Sequence, residues 1–555
     1  MTRIRMLMLT LIAAAVCMAS AGVGAAATTW YVDDGGGADY DTLQGAVDVA
    51  GAGDTIYVYD GIYNEQVIIS TSITVSGQSE SNVTIDGGGS GDCVQISSSD
   101  VTINGFTITN ASRCGIRADY SDIVIENVTV TTNGGHGIYF VHGKSFTIRN
   151  STIDGNGGGM IYYDAASGDA IVENNTVTNN VGSGVHISLV EGKSATVKNN
   201  KINNNAGGSS DGIYVNIAGS GGVMNIENNP VTKSGRRGMY LRGVRSGSTI
   251  ANFAVQGSGS HGIRAEYSDL EIENVTVTGN GAKGIYFVHG KSFTIRNSTI
   301  DGNAGGVVYD GNRATGGAIV EDTTITNNVG SGLRIDLTEG NSATIRNNKI
   351  DNNAGSSSDG IYVYIQGTGG VATIKNNLVE DSGRYGIYLT GATNSVVAGN
   401  NIVKNSYGMR LYSSSNNLIF HNNFIDNINY NGYDDGDSNS WDDGYLSAGN
   451  YWGDHDGADD FKGPGQNQSG KDGIIDTPYP VQGGSGEDRY PLVKPWPLKG
   501  DLNSDHLLTS ADAAIALRIA ASGGWDADAD VSRDGQITSL DALMILQAVS
   551  GGTAL

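Results

Sequence analysis

The chain nearly rewrites itself. The segment from Cys114 to Leu241 returns from His261 to Leu389 with few changes. The string GKSFTIRNSTIDGN begins at Gly143 and again at Gly290, and SSDGIYV at Ser209 and again at Ser357, offsets of 147 and 148 residues. Such an offset is too long for one structural unit, and a shorter period runs inside it. Gly115, Gly137, Gly184, Gly212, Gly238, Gly262, Gly284, Gly332, Gly360, Gly386 and Gly408 each open a short apolar strand. The gaps across Gly212, Gly238, Gly262 and Gly284 are 26, 24 and 22 residues.

A period in the twenties with short strands and no helical spacing predicts an all-β chain, a right-handed parallel β-helix or solenoid. Single strands of this kind cannot bury a face, but stacking them sets Ile, Val and Leu into one interior column. Asparagine pairs sit between strands: Asn174-Asn175, Asn199-Asn200, Asn228-Asn229, Asn347-Asn348, Asn376-Asn377, Asn400-Asn401 and Asn422-Asn423. Asparagine accepts the left-handed backbone of a sharp corner, and its amide can bond the amide of the next coil. Solenoid ends expose strand edges and need covers. At the N-terminus, Tyr40 to Ala50 is expected to form a capping helix with Asp41 as N-cap. From about Tyr430 the glycine period stops, and an Asp- and Trp-rich segment is expected to close the other end.

The formal net charge of −25 disfavours nucleic acid and anionic lipid as partners. Arg3 and Arg5, the apolar run Met6 to Val16 and the small residues after it read as a secretory signal, with Ala19-Ser20-Ala21 and Ala25-Ala26-Ala27 as candidate cleavage sites. No later segment is apolar enough to span a membrane, so a secreted or cell-surface protein is expected. Export leaves Cys93 and Cys114. Matching Ser99-Asp100 to Ser121-Asp122 sets Cys93 opposite Gly115, one place off Cys114, so a disulfide is open but not predicted. The expected division is 1–27 signal peptide, 28–86 cap and first coils, 87–430 repeats, 431–497 closing segment and 498–555 tail module.

Four stretches resemble known families. The glycine-led coils look like the parallel β-helix repeats of the CASH domain, shared by carbohydrate-binding proteins and sugar hydrolases. WYVDDGGGADYDTLQGAVDVAGAGDTIYVYDGIYNEQV, from Trp30, resembles the N-terminal cap of the pectin-lyase-like superfamily. GNYWGDHDGADD, DGIIDTPYPV and DRYPL resemble the closing segment of NosD-like surface proteins. In the tail, GDLNSDHLLTSADAAIALR and ADVSRDGQITSLDALMILQ resemble the duplicated loop-helix of dockerins, a small α-helical module of EF-hand type.

Asp501, Asn503, Asp505, Thr509 and Asp512 fall at loop positions 1, 3, 5, 9 and 12, and Asp530, Ser532, Asp534, Thr538 and Asp541 repeat the pattern. This oxygen-rich spacing wraps one chain around Ca2+, with the position-7 carbonyls of Leu507 and Gln536 completing the set. Gly535 supplies the sharp turn at position 6, where the first loop carries His506. The dockerin resemblance implies a cohesin-domain partner, with Ser510, Ala511, Ser539 and Leu540 at the family's partner-guiding positions.

Active-site signals are sparse. Gly135-His136-Gly137 resembles one polygalacturonase motif but lacks its acidic companions, and the repeat replaces His136 by Lys283. Gly143-Lys144-Ser145 opens a strand where a phosphate loop needs a helix. The Gln-Asp and paired-Asp elements of pectin esterases are missing, and His and Met stand at no copper-ligand spacing. A binding face is better supported. Period-two alternation after each glycine turns one residue outward: Arg117, Tyr139, His186, Tyr214, Tyr240, Arg264, Tyr286, Arg334, Tyr362, Tyr388 and Arg410. Tyr139, Tyr214, Tyr240, Arg264, Tyr286, Tyr362 and Tyr388 are the candidate polysaccharide contacts: phenols for sugar rings, guanidinium forks for carboxylates. Arg236, Arg237, Arg242 and Arg245 form a basic cluster suited to an anionic sugar, or to pairing with Glu266 and Asp269. A carbohydrate-interacting protein docked through its tail is expected. The alternatives are a polysaccharide lyase or glycoside hydrolase, and a purely structural cell-envelope protein, which the sequons at Asn82, Asn127, Asn150, Asn274 and Asn297 would suit.

Overall fold

In the computed structural model, residues 26–219, 222–310, 316–445, 447–484, 486–496, 500–503, 508–526, 528–532 and 534–550 are described, with side chains at 162–166 left aside. The expected signal segment through residue 25, and loop residues Asp505, His506 and Leu507, lie outside them.

The strands wind into a parallel solenoid. One face is a 16-stranded sheet whose strands pair coil to coil in sequence order, and a 30-stranded sheet carries the remaining sides. In the 30-stranded sheet, Ile123–Thr131 bends at Asn127 (φ 51°) and pairs with both Phe146–Arg149 and Thr152–Asp154 of the next coil. The first rung is Thr29–Val32 on Thr55–Val58, inside the stretch expected as cap. The last are Gly432–Asp434 and Tyr451–Trp452, inside the stretch expected as closing segment.

Alternation sorts the side chains. Ile213–Ile217 buries Ile213, Val215 and Ile217 and turns Tyr214 and Asn216 outward. Repeated along the stack, this makes one continuous apolar core from Val32 to Val481, each fully buried aliphatic side chain stabilising by about 1.5–3 kcal/mol. The strand-opening glycines are close-approach positions: a Cβ at Gly360 would lie 2.3 Å from Val379 Cγ1 and 2.7 Å from the Gly386 carbonyl.

The asparagines line the corners in two buried ladders. Asn175 donates through Nδ2 to Asn200 Oδ1 and Asn200 to Asn229, and further along Asn348, Asn377, Asn400, Asn422 and Asn450 continue the line. A second ladder runs Asn133, Asn156, Asn180, Asn205 and resumes at Asn280, Asn303, Asn328, Asn353. In the pairs from Asn174-Asn175 to Asn376-Asn377 the first residue takes the left-handed corner and the second the ladder. At Asn400-Asn401 and Asn422-Asn423 the pairing slips by one, and Gly399 and His421 take the corner.

The N-terminal helix is shorter than expected, Leu43–Val47, and its N-cap is Thr42, not Asp41, because Thr42 Oγ1 accepts from Gly45 N. Glu65 accepts from the Leu43 and Gln44 amides and holds this helix end to the first coils. At the other end, Trp452 stacks between Phe424 and Tyr479. Asp488 accepts from Trp452 Nε1 and Asn450 N, and Arg489 forks onto Asp442. The DRYPL motif is therefore the latch of the closing segment. Cys93 and Cys114 are buried free thiols. Val94 pairs with Ile116, which sets Cys93 across from Gly115, and burial pushes the Cys93 thiol up to about 12.

In the tail, Ser510–Ser522 and Ser539–Val549 are helices packed around Leu508, Ala513, Ala516, Val531, Ala542 and Ile545. Among the described residues no helix is long and apolar enough to cross a membrane.

Candidate functional site

The outward row is in register. Cα pairing runs Gln95, Arg117, Tyr139, Ile161, His186, Tyr214 and Tyr240, then Arg264, Tyr286, Val308, Arg334, Tyr362, Tyr388, Arg410 and Tyr433. All seven candidate contacts lie on this one column. Rungs repeat at about 4.8 Å, so the column is an extended line of phenols and guanidinium groups. Sequence reasoning missed the rungs at Ile161 and Val308, where Gly159 and Gly306 open strands without the Gly-Ile-Tyr pattern.

A second column was also missed. At several coils the residue before the opening glycine, three before the ladder residue, packs against the ladder ring: Arg237 lies 3.9 Å over Tyr240, Lys283 4.8 Å over Tyr286, and His136 stacks on Tyr139. The pattern His-Gly, Arg-Gly, Lys-Gly and Tyr-Gly was the available signal. Within the ladder, Tyr214 meets Tyr240 edge-on at 5.1 Å and Tyr362 lies 5.1 Å from Tyr388. The rings are thus half-buried against one another. Broad aromatic exposure lies at the neighbouring corner, where Tyr120 is 65% and Tyr267 46% exposed, stacked on His142 and His289.

Charge on this face is mostly compensated. Arg117 pairs with Asp119, Arg264 with Glu266, Arg334 with Asp336 and Arg410 with Asp435. Of the expected pairing of the basic cluster with Glu266 and Asp269, only a through-space attraction of Arg242 for Glu266 forms, with no direct ion pair. Arg236 forks onto the buried Asp211 at 2.6 and 3.0 Å, and Arg237 lies 3.8 Å from the same carboxylate. Glu266 is taken by Tyr240 and Arg264, and Asp269 accepts from Ser292 N. Burial pushes the Tyr240 phenol up to about 12, so at neutral pH it is a hydrogen-bond donor and not a base.

The two tail loops present oxygen donors. Asp530 Oδ1 accepts from Asp534 N and Ser532 Oγ and its Oδ2 from Gly535 N, curling the second loop around one carboxylate, with Gly535 at φ 80°. Asp541, fully buried, accepts from Ser532 N and Thr538 N, and Asp512 accepts from Leu502, Asn503 and Thr509 amides. Thr509 and Thr538 act as N-caps in capping boxes with Asp512 and Asp541. Among the described residues no three His, Cys, Asp or Glu side chains cluster at metal-binding distance. The chemistry of the set, carboxylates with hydroxyl and carbonyl oxygens around a tight turn, fits a hard cation.

Three family models match: a right handed beta helix region at 92–255, periplasmic copper-binding protein (NosD) at 193–329 and 284–457, and dockerin type I domain at 499–550. The chain is a right-handed parallel β-helix protein with a C-terminal dockerin domain. Similar solved structures include the mannuronan C-5 epimerase A-module of Azotobacter vinelandii, 14% identical, covering 67% of this chain and 91% of that one at a TM-score of 0.29. The catalytic unit of an alpha-1,3-glucanase from Streptomyces thermodiastaticus is 12% identical, with 78% and 66% covered and a TM-score of 0.29. At these scores the likeness adds nothing to what the strand register of the β-helix already shows. No curated protein matches the chain.

Proposed function

We propose that this β-helix is an exported, polysaccharide-binding protein, tethered through its calcium-loaded dockerin domain to a cohesin domain of another protein. The observation that carries the glycan half is the single-register outer column of Tyr and Arg. It offers a donor or ring edge on most coils, interrupted at Ile161 and Val308, a repeat that suits an extended sugar chain better than a compact ligand. Neutral phenols and fixed guanidinium groups can bond hydroxyls and carboxylates without any reacting group being poised.

Calcium would be held in the second loop by Asp530, Ser532, Asp534, Thr538, Asp541 and the Gln536 carbonyl. In the first it would be held by Asp501, Asn503, Asp505, Thr509, Asp512 and the Leu507 carbonyl. It supplies the charge that lets several carboxylates share one loop. Leu517, Leu540, Leu543 and Leu546 are 41–50% exposed on the dockerin helices, an apolar surface suited to a cohesin partner. Copper handling has less support, since Met160, Met224, Met239 and Met409 are buried in the apolar core.

Glycan-array binding of the full chain, repeated with Tyr214→Ala/Tyr240→Ala and Tyr362→Ala/Tyr388→Ala, tests the reading. Binding to a polysaccharide that drops in both variants supports it. Binding to no glycan, or binding indifferent to both, refutes it. Release of reducing ends or unsaturated products from the bound polymer would instead favour the lyase or hydrolase alternative.

A further inference from the structure

Beside the ladder, Asn216, Gly219, Arg242, Gly243, Arg245 and Tyr267 line an open recess of about 380 Å³. Arg242 sits two residues along the strand from Tyr240, in register with Asn216 and Glu266. Its guanidinium lies 5.5 Å over the exposed Tyr267 ring. Arg245 donates through Nη2 to the Gly219 carbonyl at 2.5 Å, and its Nε is buried with no hydrogen-bond partner. The arginines of the ladder, with Arg236, Arg237 and Arg384, are paired with carboxylates. Arg242 and Arg245 make no such pair among the described residues. A buried donor without an acceptor needs a reason, and Arg242 feels Glu266 on the next rung without forming a direct ion pair, so its guanidinium stays exposed at the recess.

The duplication supplies an internal control. The equivalent corner of the second block has the same backbone: Gly243 and Gly391 take φ 71° and 69°. Val244 N donates to Ser268 Oγ at 3.2 Å, as Ala392 N does to Ser414 Oγ at 3.1 Å. Yet Arg242, Arg245 and Tyr267 are there Thr390, Thr393 and Ser413. The turn does not require the arginines or the tyrosine.

We propose that this recess is a subsite for an oxyanion carried on a sugar ring, a carboxylate or a sulfate, of the polysaccharide lying along the ladder. The proposal rests on the glycan-binding reading above and narrows it to acidic polymers. The two guanidinium groups can donate to the oxyanion, while the Tyr267 ring stands beside the sugar.

The test is affinity electrophoresis of the full chain in native gels containing polygalacturonate, dextran sulfate or the neutral glucan pullulan. The variant Arg242→Thr/Arg245→Thr carries the residues of the equivalent corner, and Arg242→Gln alone serves if the double variant misfolds. The dissociation constant for the acidic polymer should rise about tenfold or more. Its dependence on salt should weaken, and the melting temperature should stay unchanged. Retardation by polygalacturonate identifies the oxyanion as carboxylate, and by dextran sulfate as sulfate. Acidic-polymer binding equal to wild type, or a wild-type chain that binds only pullulan, overturns the subsite. If Tyr214→Ala/Tyr240→Ala still weakens binding in that case, the ladder reading survives alone. If no polymer is bound, both fall.

Discussion

Asn377 donates through Nδ2 to Asn400 Oδ1 at 2.8 Å, one rung along the stack, while its own Oδ1 accepts from both the backbone and side-chain amides of Asn348. The same Nδ2 reaches the Ile345 carbonyl at 3.0 Å, so one fully buried side chain ties three coils. Asn377→Ala leaves the backbone amide and one side-chain N–H of Asn348 without their acceptor inside the corner. Each buried polar group left unpaired costs about 1–3 kcal/mol. The urea midpoint of the β-helix should fall clearly, and hydrogen exchange should quicken at the neighbouring rungs first, since repeat stacks are held by nearest-neighbour terms. An unchanged midpoint would mean the ladder is only decorative.

The strand-opening glycines make a second prediction. Gly360→Ala places a methyl 2.3 Å from Val379 Cγ1 and 2.7 Å from the Gly386 carbonyl, and backbone cannot yield as a side-chain tip can. Overpacking of this kind costs about 1–3 kcal/mol. Gly208, where an added Cβ meets nothing within 4 Å, is the control. Gly360→Ala should lower the melting temperature and Gly208→Ala should leave it in place. Equal effects would show that the glycine period reflects flexibility and not close approach.

Two imidazoles on the ladder face link stability to pH. Burial pushes His186 down to about 4. It does the same to His261, helped by the nearby Lys283, Arg264 and Arg237. An unfolded histidine titrates near 6.5. Between these values the unfolded chain therefore binds protons that the folded chain refuses, so stability is at its full value above about 6.5 and falls as pH drops toward 4. His186→Gln/His261→Gln should flatten that fall relative to wild type in melting curves taken between pH 7 and pH 4.5. Parallel curves for the two proteins would rule the linkage out.

Much of this was legible before any coordinates. Local signals with a fixed period survive folding: glycines that open strands, asparagines at corners, and alternation that turns Tyr214 out and Val215 in. What escaped depends on neighbours far apart in the chain. The rungs of Ile161 and Val308 were hidden because their strands lack the Gly-Ile-Tyr pattern, and only pairing with Tyr139 and Tyr286 places them. Asp211 as the anchor of Arg236 lies 25 residues upstream, a relation set by coil geometry and invisible as spacing. Thr42 displaced Asp41 as N-cap because one residue of register decides which side chain reaches the free amides. The capping boxes of the dockerin helices were equally readable as Thr-x-x-Asp, yet the same residues had been claimed by the calcium pattern.

That double use of Thr538 and Asp541 sets the last prediction. Asp541 bonds the Thr538 and Ser532 amides and is buried at the start of its helix, while the calcium reading asks the same carboxylate to ligate at position 12. Among the described residues six side chains form the buried core of this domain, and a module so small gains much of its folding free energy from the ion when its loops bind one. Chelation with EGTA should therefore speed hydrogen exchange across 508–550 while leaving the β-helix rungs protected, and added calcium should reverse it. Asp530→Ala removes the position-1 ligand and should abolish the response in the second loop. It should also loosen that loop in EGTA, since Asp534 and Gly535 lose their acceptor. Asp541→Asn can keep the Thr538 cap through its one acceptor oxygen while losing the charge and the Ser532 amide, so it should retain the helix in EGTA and lose the calcium response. If Asp541→Asn gains protection from calcium as wild type does, the carboxylate is a cap and no more.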